Sequence, residues 1–305
     1  MNYGIETLDV KAQVLNQNFV DLIDQGQIKQ AEDAGTILIR EIVRQDAAVR
    51  EILPCKTIGA SELDIWPDSD APMKYLDIET QTVASYVQFY GTPKANYYTL
   101  RHVPVFFGKI QSDEFVKSKF ELMSYRTDVR KLLADNSTKD IADQEDMFFR
   151  RACLQAVNRN PSIQRTELPR LTATGWAQTL TAMDNRRRPV GKALMSKARH
   201  RDAIDLPATA VGNDIAAEHY RSGIEKEDGL WGTPLVTTIK SDIYLPDEAW
   251  MFVPENYLGR FWTLQEPTLY VEQRADIVKF FIYSAPGIGL PSLLGIQQMV
   301  FTPRT

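Results

Sequence analysis

The chain has 305 residues, 44% of them hydrophobic and 25% charged, with a formal net charge of -5 and a pI near 5.4. This composition is that of an ordinary globular protein, with room for two lobes at about 150 residues each. It argues against a disordered chain and against long-range attraction to DNA or an anionic membrane, which needs clustered Lys and Arg.

No apolar run approaches the roughly 20 residues a membrane-spanning helix requires. The polar start Met1-Asn2-Tyr3-Gly4 lacks the basic and apolar regions of a secretory signal, so a cytoplasmic chain is expected. The two cysteines, Cys55 and Cys153, have neither disulfide-framework nor zinc-site spacing and are expected to be reduced thiols.

Residues 5–53 predict two helical pieces. Leu15, Phe19, Leu22 and Ile23 recur at three-to-four spacing, then Ile39, Ile42, Val43 and Ala47 do so after Gly35, and Pro54 stops the second piece. Such stripes pack on the body of their own chain or dock on a partner. From residue 58 to 110 the pattern turns to strand, with a proline-punctuated stretch from Trp66 to Pro72. Runs at 82–90 and 95–107 flank Gly91-Thr92-Pro93-Lys94 and predict a long hairpin. Tyr86 and Tyr90 make its second face aromatic beside Val83, Val87 and Phe89, so both faces need cover. A two-stranded ribbon is marginal alone in water, which points to burial against another surface, such as a neighbouring subunit.

Short helices are expected at 114–124 and 128–134, followed by a long one at 138–158 with Ser137 as its N-cap and Asp140 three residues on. Asp143, Glu145 and Asp146 load its first half, and Arg150, Arg151 and Arg159 its end, in the sense that complements the helix dipole. Ile141, Phe148, Phe149, Ala152 and Ala156 form one stripe, so this helix should lie lengthwise on a sheet. A domain boundary is placed near Pro161, a helix at 174–184, and a basic knot at Asn185-Arg186-Arg187-Arg188-Pro189. The last quarter carries β-branched and aromatic runs at 235–239, 250–253, 261–264, 269–271 and 277–283, which read as strands.

Catalytic chemistry is not legible. His102, His200 and His219 sit in unrelated contexts without metal-ligand spacing. Gly191-Lys192 fails as a phosphate loop, because Arg186 stands where the first glycine belongs and Ala193 where the hydroxyl belongs. Residues 287–291, Gly-Ile-Gly-Leu-Pro, lack the third glycine of a dinucleotide fingerprint and read as a loop crossing a sheet edge. Asp68 and Asp70 lack the next ligand of a calcium loop, since Pro72 occupies it, and 225–228 reads as a solvated charged face. Three adjacent arginines, Arg186, Arg187 and Arg188, could grip a phosphate or carboxylate-rich partner, or simply form an exposed loop. No catalytic, cofactor-binding or metal residue is nominated, no cofactor is expected, and a building block rather than an enzyme is anticipated.

The order of elements, and above all Trp250-Met251-Phe252-Val253-Pro254-Glu255-Asn256-Tyr257-Leu258-Gly259-Arg260-Phe261 with Gln265-Glu266-Pro267-Thr268 and the run 275–283, resembles the major capsid proteins of tailed bacteriophages. That resemblance implies an α+β subunit of the Hong Kong ninety-seven fold. It implies an N-terminal arm at 1–56, an extended β-hairpin loop at 57–110 and a peripheral domain with its spine helix at 111–170. An axial domain at 171–254 and C-terminal strands at 255–305 shared by both domains complete the division.

The implied function is a self-assembling structural protein of an icosahedral head around double-stranded DNA, built from hexamers and pentamers and located in the virion after assembly in the host cytoplasm. The alternative is an encapsulin-type shell holding protein cargo. Implied partners are further copies of the chain, a portal and a separate scaffold protein, with DNA enclosed without sequence-specific binding and no membrane. Some relatives carry a scaffolding segment that is later cut away, whereas this chain begins at Met1 with a short arm, so a separate scaffold or the arm itself is expected to serve. Others cross-link Lys to Asn, and although Lys94, Asn96 and Asn158 occur here, nothing marks a pair. Candidate interface residues are Tyr86, Phe89, Tyr90, Tyr97 and Tyr98 on the hairpin, with Arg186, Arg187 and Arg188 as a rim contact.

Overall fold

A computed structural model describes residues 16–64, 71–78, 86, 87, 89, 91, 101–124, 129–204 and 232–302. The N-terminal part forms helix α1 at 16–24, α2 at Ile28–Asp46 and α3 at Ala48–Ile52. Gly26, with φ +73°, turns the chain between α1 and α2, and an extended Ala47 separates α2 from α3. The second helix therefore begins before Gly35 rather than after it. Gly35 lies where the Leu269 side chain presses against α2, leaving no room for a Cβ.

Strand β1, Cys55–Thr57, follows Pro54. The ribbon pairs β2, Met73–Ile78, with β3, Arg101–Phe106, antiparallel from Met73 opposite Phe106 to Ile78 opposite Arg101. Only this base of the expected hairpin is described: most of 82–90 and of 95–100 lies outside the described residues. The helix expected at 114–124 is half strand. After β4, Ile110–Gln111, residues Phe115–Ser118 form β5, and α4 covers only Lys119–Ser124. The Phe115-Val116 pair, β-branched and aromatic, prefers the sheet to the helix.

Helix α5 runs unbroken over 31 residues, Val129–Arg159. The two helices expected at 128–134 and 138–158 are thus one, and Ser137 lies in its interior instead of capping it. Asp135, Asn136 and Ser137 are weak helix formers but cost under about 1 kcal/mol each, and no Gly or Pro interrupts them. Ile141, Ala142, Phe149, Cys153, Ala156 and Val157 are buried, whereas Phe148, expected on the same stripe, is 43% exposed.

Then come α6 (Pro161–Gln164), β6 (Arg165–Leu168), α7 (Ala173–Asp184), β7 (Lys192–Ser196), α8 (Lys197–Ile204), β8 (Leu235–Thr238) and β9 (Glu248–Phe252). Thr172 caps α7, its hydroxyl accepting from Gly175 N at 3.1 Å. The chain ends through α9 (Glu255–Leu258), β10 (Arg260–Thr263), β11 (Thr268–Arg274), β12 (Ile277–Ser284), β13 (Pro286–Gly289) and β14 (Ile296–Phe301).

Residues 286–289 are therefore a strand paired with β10, not a loop. Their glycines serve close approach: a Cβ on Gly289 would meet Val105 at 2.5 Å and one on Gly287 the Phe107 ring at 2.8 Å.

Among the described residues these strands form three sheets and the ribbon. One has five strands in the order β6-β14-β9-β7-β8, one has three in the order β1-β10-β13, and in a third β12 pairs with β11 on one side and with β4 and β5 on the other. The largest core cluster joins α3, α5 and the five-stranded sheet through residues such as Val49, Phe149, Trp250 and Phe252. A second joins α1 and α2 to β11 and β12.

Helix α2 also seals the free edge of β11. Leu269 N donates to Thr36 Oγ1 at 3.1 Å and Val271 N to Glu32 Oε1 at 3.0 Å, so donors that would otherwise invite another strand are occupied.

Candidate assembly surface and its supporting junction

The ribbon stands on β13 and β10. Val105 and Phe107 are buried with Ile58 and Trp262, and the Lys74 ammonium lies 5.2 Å from the Trp262 ring centre. Further out, cover runs short. Phe106 is 53% exposed, and among the described residues between the two strands Tyr86 is 98% and Phe89 100% exposed. Large exposed aromatics are candidates for burial by another molecule. Tyr90, Tyr97 and Tyr98 lie outside the described residues. On the ribbon's flank His102 Nδ1 and Asp77 Oδ1 share a 2.6 Å hydrogen bond between directly opposed residues.

The three arginines are not equivalent. Arg186 is half-buried, and its guanidinium donates to the carbonyls of Ile163 and Leu294 and to Gln297 Oε1, tying the end of α7 to α6 and β14. Arg187 is exposed in a left-handed backbone conformation, φ +55°, and Arg188 is partly exposed. Arg187 and Arg188 remain available as a rim contact, while Arg186 is held within its own subunit. Burial lowers the pKa of Arg186 from its ordinary value, without taking it out of the charged state at neutral pH.

In the main core α5 presents two consecutive buried acids, Glu145 and Asp146, whose side chains are both 0% exposed. Glu145 takes a bidentate bond from Arg50 on α3, both contacts at 2.8 Å. Asp146 accepts from Val49 N at 2.8 Å and Ala48 N at 3.3 Å, closing the start of α3, and from Lys240 Nζ at 2.7 Å. Lys240 also reaches Asp143 at 2.9 Å, and the Tyr244 hydroxyl lies 3.4 Å from the Asp146 carbonyl. One turn on, Arg150 pairs with Glu248 at 2.7 Å, and Gln298 Nε2 donates to the other oxygen of that carboxylate at 3.1 Å.

Burial pushes the Asp146 carboxyl above the usual aspartate range, outweighing Lys240 and the two amides. Burial pulls Lys240 down, but Asp146 and Asp143 overcome it and hold the ammonium above its ordinary value. This junction fastens the N-terminal helices, the long helix and the β8–β9 connection to one another.

Sequence reasoning assigned Glu145 and Asp146 to the helix dipole and missed their burial. The signal was present in the spacing: Ala142, Asp146, Phe149, Cys153 and Ala156 share one face at three-to-four intervals. The remaining candidates are dispersed. His200 is partly buried on α8, while His219, Asp68 and Asp70 lie outside the described residues. Among the described residues no three of His, Cys, Asp and Glu gather as a metal ligand set. Cys153 is buried, its thiol pKa pushed well up by desolvation.

No protein-family model matches the chain, and no curated protein matches its sequence. Solved structures do match. A virus-like particle from Pyrococcus furiosus aligns at 14% identity and a TM-score of 0.57 over 88% of this chain and 98% of that one. A chain from Mycobacterium phage Adephagia aligns at 11% identity and 0.59 over 85% and 91%, and the capsid of cyanophage P-SCSP1u at 10% and 0.55 over 83% and 87%. At such identities the likeness is one of fold: the chain has the α+β Hong Kong ninety-seven capsid fold, as its sequence implied.

Proposed function

We propose that this chain is the shell-forming subunit of a closed icosahedral particle, the major capsid protein of a tailed bacteriophage, with no catalytic role. The observation that carries the reading is a capsid fold spanning 88% of this chain and 98% of the matched particle subunit, so little of either is left for another activity. The exposed aromatic Tyr86 above the β2–β3 base supports it, because a large exposed aromatic side chain marks a surface suited to a neighbour.

In this reading 1–56 is the arm, 57–110 the extended loop, 111–170 the peripheral domain with α5 as its spine, 171–254 the axial domain, and 255–305 the strands serving both. The partners are further copies of the chain as hexamers and pentamers, then portal and scaffold proteins, in a virion filled with DNA. A net charge of -5 suits an inner wall along which DNA must slide while it is packed. Negative-stain microscopy and light scattering of the purified full chain test the reading. Closed shells or capsomer rings are expected, and a strictly monomeric protein across the micromolar range would refute it.

One observation favours a second reading, an encapsulin-type compartment. The Pyrococcus furiosus structure, 98% of which aligns with this chain, is that of a virus-like particle rather than of a phage head. Shells that emerge from expressing cells holding one defined protein, and no nucleic acid, would select it.

A further inference from the structure

The connection between β8 and β9, residues 239–247, is attached to the long helix at a point that water does not reach. Ile243 and Tyr244 are buried in the main core, and Lys240 ends on the side chain of Asp146, itself fully buried. β8 is the edge strand of the five-stranded sheet, so this connection is what ties that edge to α5. We propose that Lys240 and Asp146 form a proton-operated clasp: a proton on Asp146 releases Lys240 and frees the 239–247 connection from α5, while α3 stays seated.

Every charged or titratable group facing Asp146 fits this division of labour. From the connection come Lys240 and Tyr244, and from α5 itself Asp143, Glu145, Arg150 and Cys153. From α3 comes Arg50, which is fully engaged by Glu145, and from β9 Glu248, engaged by Arg150. Among the described residues Asp143, Glu145 and Asp146 are met by Lys240 and Arg50, one cation short of neutrality. A protonated carboxyl still accepts through its carbonyl oxygen, so a proton on Oδ2, the oxygen that Lys240 and Ala48 N reach, leaves the shorter bond from Val49 N to Oδ1 in place.

The sign follows from linkage. In this clasp Asp146 loses its cation when the connection lifts but stays beneath α3, held by Val49 N and Ala48 N, so it binds a proton more tightly in the open form than in the closed form. Acid therefore favours local opening. Global unfolding has the opposite sign, because it returns Asp146 to water, where its affinity for a proton falls. The tendency of burial to raise this carboxyl in the closed form places the response above the ordinary aspartate range.

Hydrogen exchange of the full chain, read by mass spectrometry from about pH 7 to about pH 4 and corrected for intrinsic rates, tests the clasp against a purely structural pair. In the wild type, protection across 239–247 is expected to fall about tenfold or more on acidification, while 48–52 and the β12 segment hold. In Asp146→Asn the same segment should exchange at one fast rate at every pH, and Asp143→Asn should keep the transition. A flat wild-type profile, or a transition that persists unchanged in Asp146→Asn, overturns the proposal. Should Asp146→Asn fail to fold, the carboxyl of Asp146 in the wild type is titrated by carbon NMR. Coincidence of its midpoint with the exchange transition supports the clasp, and separation of the two refutes it. The test concerns one subunit and stands apart from whether shells form.

Discussion

Neighbouring phenylalanines on α5 have opposite fates, and the difference fixes the cost of removing each. Phe149 is fully buried against Phe252, with ring centres 5.5 Å apart, whereas Phe148 is 43% exposed. Phe149→Ala is expected to cost about 3 to 5 kcal/mol through the cavity it leaves. Phe148→Ala should cost well under about 1 kcal/mol, as exposed sites do. Denaturant midpoints of the two variants check this, and equal losses would show the helix to be rotated.

Asp146 allows a second comparison at this scale. Lys240→Met leaves a buried carboxylate without its cation and should destabilise by about 3 to 5 kcal/mol at neutral pH, with the loss shrinking on acidification as a proton takes the cation's place. Because the folded-state pKa of Asp146 is raised, its contribution to global stability is full below the ordinary aspartate range and is lost as pH rises through the raised value. Asp146→Asn, neutral at every pH, should therefore be the milder change. The acidity of these positions was plain in the sequence. Their burial was not, because a carboxylate on a helix is ordinarily solvated unless a distant residue such as Arg50 or Lys240 comes to meet it.

Among the elements, those carried by dense local pattern were legible and those defined by distant partners were not. Strands β8 to β12 and the break at Pro54 follow from β-branched and aromatic runs and a proline, and helix α7 was placed to within a residue. Strand β5 was mistaken for helix although Phe115 and Val116 favour a strand, because four residues are too short a run to be told from a helix without β12, some 160 residues later in the chain. Strand β13 was mistaken for a loop because its glycines look like punctuation, and their use, letting Val105 and Phe107 close on the strand, belongs to the ribbon. Gly289→Ala should lift the ribbon off β13 and speed hydrogen exchange across Met73–Ile78 and Arg101–Phe106, with little effect on β9 or β14. Arg186→Ala should loosen α7 from β14 and lower stability. The pair Arg187→Ala with Arg188→Ala should leave the subunit's melting unchanged and weaken only association, read by sedimentation.

For the molecule as a whole, assembly by many repeated heterologous contacts predicts a sharp concentration threshold, sensitivity to salt through rim charges such as Arg187 and Arg188, and indifference to chelators. Turbidity or scattering against concentration, with and without chelator, measures all three. Particles that dissolve when a chelator is added would overturn this account. The architecture was legible from the order of elements and the C-terminal strand pattern. The candidate surface was legible only in part: an aromatic excursion announces itself in one dimension, but which arginine of three faces outward is decided by Ile163, Leu294 and Gln297, residues far away in sequence.

The seal that α2 places on β11 also sets a clock. Thr36 waits for Leu269 and Glu32 for Val271, partners separated by 233 and 239 residues. At about 5 to 20 residues per second, a ribosome needs on the order of 10 to 50 s to make the strand on which those helices will lie. Through that interval Val20, Ile23, Ile39 and Val43 lack the β11–β12 part of their cluster and have Leu122 of α4 and Ile141 of α5 to pack against. The first helices made thus wait for one face of their cluster until β11 and β12 exist. A nascent chain paused before residue 268 should offer them to chaperones, or to a sister chain on the same message, and a chain released after residue 284 should not.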